Sequence, residues 1–66
     1  MNAPTNQIYI ALVGDNYMAT FVGPHGDEVR AAFGTDTLPT PYRAAMPVAT
    51  VLAEIRRCNP GVAVRA

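Results

Sequence analysis

Ile8 to Val13 (IYIALV) is apolar at six consecutive positions, and a chain of 66 residues has little with which to cover such a strand. A strand with one solvated face alternates apolar and polar side chains, whereas a strand apolar on both faces needs cover on both. One later segment has the spacing of a helix able to supply one cover. The second face is then either partly exposed or buried by a second copy or another protein, and the sequence predicts a homodimer or higher oligomer. Size points the same way: a domain this small buries only about 60% of the surface its unfolded chain exposes. Disulfides, a structural metal or oligomerisation are the usual remedies. Cys58 is the single cysteine and His25 the single histidine. The first excludes an intramolecular disulfide, and the pair cannot fill the four-ligand shell of a structural zinc. No cofactor and no metal are implied.

Half the residues are hydrophobic and 15% are charged, below the roughly 25% usual in soluble domains. Low hydrophobicity and high net charge keep a chain unfolded; this chain has neither. The formal net charge is zero, which provides no field to draw the protein to nucleic acid or to a lipid surface. All five cations are arginine, beside eleven alanines, a usage that fits coding bias in a GC-rich genome. The opening MNAPTNQ carries no basic residue, and the apolar run that follows stops at Gly14, short of a secretory core or the about 20 residues of a membrane span. The expected location is cytoplasmic, in a bacterium or phage-infected cell, where a lone thiol stays reduced.

Residues 1–66 read as one small domain, with residues 1–5 a tail lacking an apolar anchor. A first strand spans 7–13. Gly14, Asp15 and Asn16 form a turn cluster, and Tyr17 to Val22 (YMATFV) completes a hairpin. Gly23–Asp27 (GPHGD) reads as a second turn. Glu28 to Phe33 (EVRAAF) alternates Val29, Ala31 and Phe33 with Glu28, Arg30 and Ala32, which predicts a third strand, a short helical turn being the alternative. Pro39 and Pro41 make residues 34–45 read as a loop crossing the sheet. Pro47 suits a helix's first turn. Val48, Val51, Leu52 and Ile55 then form one apolar stripe, with Thr50, Glu54, Arg56 and Arg57 facing away, and Asn59, Pro60 and Gly61 end the helix. Val62 to Arg65 reads as a last strand. The predicted fold is α+β: a small four-stranded, mainly antiparallel sheet with one helix on one face, in the order β-β-β-α-β. That order resembles the small sheet domain of HicB-type antitoxins, a likeness of element order and not of motif residues, and the LPTPYRAAMP stretch (38–47) departs from that family's direct passage from strand to helix.

Candidate chemistry is sparse. His25 beside Asp27 has the pairing of a general base oriented by a carboxylate, but the chain has no serine and the lone thiol lies far off in sequence, so it reads as a turn histidine. Cys58 falls at a helix C-terminus, where the dipole disfavours a thiolate. Asp15, Asp27, Glu28 and Asp36 match no calcium-loop spacing, and Gly23 and Gly26 precede no recognisable phosphate-binding helix. Arg56, Arg57 and Arg65 would form a small basic patch in a dimeric nucleic-acid-binding or antitoxin-like regulator, the second reading, with zero net charge against it. Tyrosines are rigid amphipathic anchors enriched at interfaces, and Tyr9, Tyr17 and Tyr42, with Leu38, are candidates for that role or for the core. The expected function is a non-enzymatic protein–protein interaction module of adaptor or inhibitor type, self-associating and binding another protein. Tyr9, Ala11, Val13, Tyr17 and Phe21 are its expected interface. An exposed apolar patch beyond a few hundred Å² ordinarily marks one.

Overall fold

Residues 5–66 are described by a computed structural model; of the expected tail, residues 1–4 lie outside the described residues. The chain folds as β1 (Gln7–Val13), β2 (Asn16–Val22), α1 (Pro24–Phe33), β3 (Thr37–Arg43), α2 (Val48–Cys58) and β4 (Ala63–Arg65). The strands form one mixed sheet in the order β3-β2-β1-β4. β1–β2 and β2–β3 are antiparallel and β1–β4 is parallel. This is an α+β fold with a four-stranded, mainly antiparallel sheet.

Two elements differ from expectation. Glu28–Phe33 is not a third strand but the body of α1, so the order is β-β-α-β-α-β with two helices, and the likeness in element order to HicB-type antitoxins does not hold. The GPHGD segment is the first turn of that helix. Pro24 opens it where a missing N–H costs nothing, and Gly34 closes it in the left-handed conformation (φ 78°), donating to the Arg30 carbonyl. Asn6 assists from outside, its Oδ1 accepting the His25 N–H at 2.8 Å. Gly26 sits so close beneath β2 that a Cβ there would collide with the Phe21 carbonyl oxygen. The second difference is β3, which occupies the stretch that reads as a loop. It is an edge strand, with a register irregularity opposite Pro41, and both edges and bulges are places where sheets tolerate prolines.

The β1–β2 hairpin closes over two residues, Gly14 and Asp15, with Val13 paired to Asn16. Gly14 alone has positive φ (63°), the requirement at the first position of a tight primed turn. Pairing puts Ile8 opposite Phe21 and Ile10 opposite Ala19 on one face, while Val64 lies beside Ile8. These residues join Tyr17, Val51 and Ile55 in one apolar cluster. Ile8 and Val51 are fully buried, and among the described residues no polar or charged residue is buried. The Tyr17 hydroxyl donates to the Met46 carbonyl at 2.8 Å, which ties the approach to α2 onto the sheet without leaving a buried donor unpaired.

The apolar stripe of α2 points inward through Val51 and Ile55, with Leu52 half-buried and Val48 exposed. Asn59 ends the helix, its side-chain amide donating to the Ile55 carbonyl at 2.8 Å. Arg56 does not simply face away: its guanidinium donates to the Val64 carbonyl at 2.9 and 3.3 Å, joining α2 to β4. In urea unfolding, Val51→Ala is expected to cost about 2–3 kcal/mol and the half-buried Leu52→Ala about 1 kcal/mol. Arg56→Ala, which strands a carbonyl partner, should cost about 1 kcal/mol. A larger effect at Leu52 than at Val51 would show that the helix is rotated from this phase.

Candidate functional site

Because cross-strand partners share a face, the register defines the side of the sheet opposite α2. It carries Tyr9 beside Thr20, Ala11 beside Met18, Val13 beside Asn16 and Gln7 beside Val22. Thr37 and Pro39 extend it on β3, Ala63 and Arg65 on β4. Val13 is 62% exposed and Tyr9 and Val22 are each 41% exposed, large values for apolar side chains on central strands. Arg65 is the one charged residue in these pairs besides Arg43, which pairs with Asn16 beyond the bulge.

Several polar groups of this face are bonded within the chain. Tyr9 Oη donates to Gln7 Oε1 at 2.7 Å, and the Thr20 and Thr37 hydroxyls lie 2.9 Å apart in a hydrogen bond. The Asn16 amide donates to the carbonyls of Tyr17 and Thr40 at 3.0 and 2.9 Å. An apolar surface placed on them would therefore strand little, because what makes polar burial costly is an unpaired group.

The sheet edges are closed. On β3 the Asp36 carbonyl accepts the Phe21 N–H at 2.8 Å, so residues in phase with 36 turn towards β2 and Thr37, Pro39, Pro41 and Arg43 turn outward. The Thr37 N–H is taken by Thr35 Oγ1 at 3.2 Å, the two prolines have no N–H, and the Arg43 carbonyl accepts the Met46 N–H at 2.9 Å. At the opposite edge, β4 has three residues and Arg56 occupies the Val64 carbonyl. Prolines, short strands and covering side chains are how sheets prevent edge-to-edge pairing.

Of the five residues expected at an interface, Tyr9, Ala11 and Val13 lie on the open face, whereas Tyr17 and Phe21 lie on the α2 side, within or against the core. The five do not share a surface. Met18 and Val22, which alternation along β2 puts on one face with Thr20, join the open face through the hairpin register; Pro39, in a stretch that reads as a loop, joins it only because β3 is a strand. On the α2 side, Phe21, Leu38, Tyr42 and Ile55 line a shallow groove of about 230 Å³ between the helix and β3.

His25 packs its ring edge-on to Phe21, centroids 5.0 Å apart, and Asp27 pairs with Arg30 at 3.2 Å instead of orienting it. Cys58 is exposed. Among the described residues no group of three or more His, Cys, Asp or Glu gathers as a metal site, and no helix is long and apolar enough to cross a membrane. Arg30 also meets Asp36 at 2.7 Å; this hydrogen bond holds the Asp36 carboxyl below its ordinary range and raises Arg30. Arg57 is raised by its partner Glu54. Three of the five arginines are thus engaged in intramolecular bonds, and Arg43 and Arg65 stand on opposite edge strands. The sequence matches no protein-family model, and neither curated proteins nor solved structures return a significant match.

The edge assignment is open to a direct check. Pro39→Val combined with Pro41→Val restores two outward N–H donors, and is expected to produce high-mass species or precipitation in size-exclusion chromatography. An unchanged elution profile would show that the prolines do not guard the edge.

Proposed function

We propose that this protein is a small non-enzymatic protein–protein interaction module, of adaptor or inhibitor type, whose working surface is the open face of its sheet. The observation that carries this reading is the largely apolar face of β1 and β2, bare on central strands and with several of its polar groups bonded within it. Such a surface gains free energy from being covered. No step of chemistry competes for it: His25 is spent on an aromatic contact, Asp27 on an ion pair, and no serine is present. The dispersal of the arginines over both helices and both edge strands favours an interaction module over a nucleic-acid regulator, which needs its cations on one side.

The test is binding to a partner recovered from the protein's own host, measured quantitatively on four variants whose folding is checked by circular dichroism. Tyr9→Glu and Val13→Arg are expected to weaken binding at least tenfold, while His25→Ala and Cys58→Ala leave it unchanged. Loss of function in a folded His25→Ala or Cys58→Ala protein would replace this reading with a histidine- or thiol-dependent site.

A further inference from the structure

We infer that the occupant of the open face is a second copy of this chain, packed sheet against sheet about a two-fold axis. The inference rests on the reading of that face as an interaction surface and names its partner.

Three observations select a second copy. First, the centre of the face carries no charge, with Arg65 on the last strand at one margin and Arg43 at the other. It offers no electrostatic handle to an acidic or basic partner, and two such faces meet without burying an ion. Second, several of its side-chain donors and acceptors are bonded within the face, Tyr9 Oη to Gln7 Oε1 and Thr20 to Thr37. What fits is a surface that is likewise largely apolar and makes few hydrogen-bond demands, and the face itself has these properties. Third, extension through β3 is blocked by Pro39, Pro41 and the capped ends of that strand, and through β4 by its length and Arg56. Stacking of faces is the route left to the sheet, with the layers about 10 Å apart.

The area is compatible with a real but weak assembly. Seven-residue strands side by side at about 4.8 Å, with β4 only three residues long, give a footprint of at most roughly 20 × 19 Å, under about 400 Å² in projection. Two copies together bury on the order of 800 Å² in projection, below the about 1,200 Å² of stable interfaces and in the range of weak, transient ones. Ala11 lies between Tyr9 and Val13 along β1 and beside Met18 on β2, a shallow spot flanked by larger side chains where the partner's can seat. Because the face is single and both edges are closed, the assembly stops at two.

Sedimentation equilibrium at about 10 and 100 μM tests this, with folding monitored by circular dichroism. The wild-type mass at the higher concentration is expected to approach twice the 7.0 kDa of one chain. Ala11→Arg, at the centre of the face, is expected to return it to 7.0 kDa. Val13→Arg, at the solvent-exposed end of β1, should do the same and serves if Ala11→Arg does not fold; Arg57→Ala on the outer side of α2 should leave the mass unchanged. A monomeric wild type at 100 μM, or an assembly whose mass neither face substitution alters, overturns the second copy. If the wild type is monomeric and Val13→Arg still loses a host partner, the interaction face stands and only its occupant was wrong. If Val13→Arg affects neither self-association nor partner binding, the face itself is not the working surface.

Discussion

Everything in this fold depends on β1 being apolar on both sides while α2 covers only one of them. Ile8 and Ile10 are turned towards α2 and share a cluster with Val51, Ile55 and Val64. Tyr9, Ala11 and Val13 are turned the other way. A one-residue slip in register would exchange the two sets, and here the hairpin resists it through Gly14, whose positive φ closes the turn over two residues. With the register held, Tyr9, Val13 and Val22 are left exposed on the side opposite α2, although Leu12 on the α2 side is exposed as well.

The rest of the molecule accommodates that surface by closing its alternatives. A bare sheet with open edges is an aggregation template. Here Pro39 and Pro41 remove two outward donors from the β3 edge, and at β4 the Val64 carbonyl is held by Arg56. The charged side chains serve the same economy: Arg30 bridges Asp27 and Asp36 across the end of α1, and Arg57 pairs with Glu54. The centre of the sheet face stays neutral.

Much of this was legible in the sequence. The hairpin follows from two apolar runs around Gly14–Asn16, α2 from the stripe through Val51 and Ile55, and the two-sided apolar character of β1 from IYIALV itself. Two elements were misread for opposite reasons. Alternation of Val29, Ala31 and Phe33 imitates a strand, and only the punctuation, Pro24 at the start and Gly34 just past the end, marks a helix. In β3 the prolines imitate a loop, because their compatibility with an edge depends on which way each N–H would point, and that is set by pairing with β2. Tyr17 could be placed on a face by parity but not assigned to the core, since what secures it is a hydrogen bond to Met46, 29 residues away in sequence. The candidate site was therefore partly visible: alternation gives the rows Tyr9, Ala11, Val13 and Met18, Thr20, Val22, but which β2 row lies beside the first depends on the register, and the β3 row was hidden by its prolines.

Concentration dependence of unfolding addresses the central claim most directly, because a face buried between copies contributes stability that grows with protein concentration. Urea denaturation followed by circular dichroism from about 1 to 100 μM is predicted to show a midpoint that rises steadily, with each tenfold increase adding about 1.4 kcal/mol per mole of dimer where the folded chains are paired. A midpoint that stays constant over the whole range would contradict the account, for it would mean that the folded chain is stable with its open face bare.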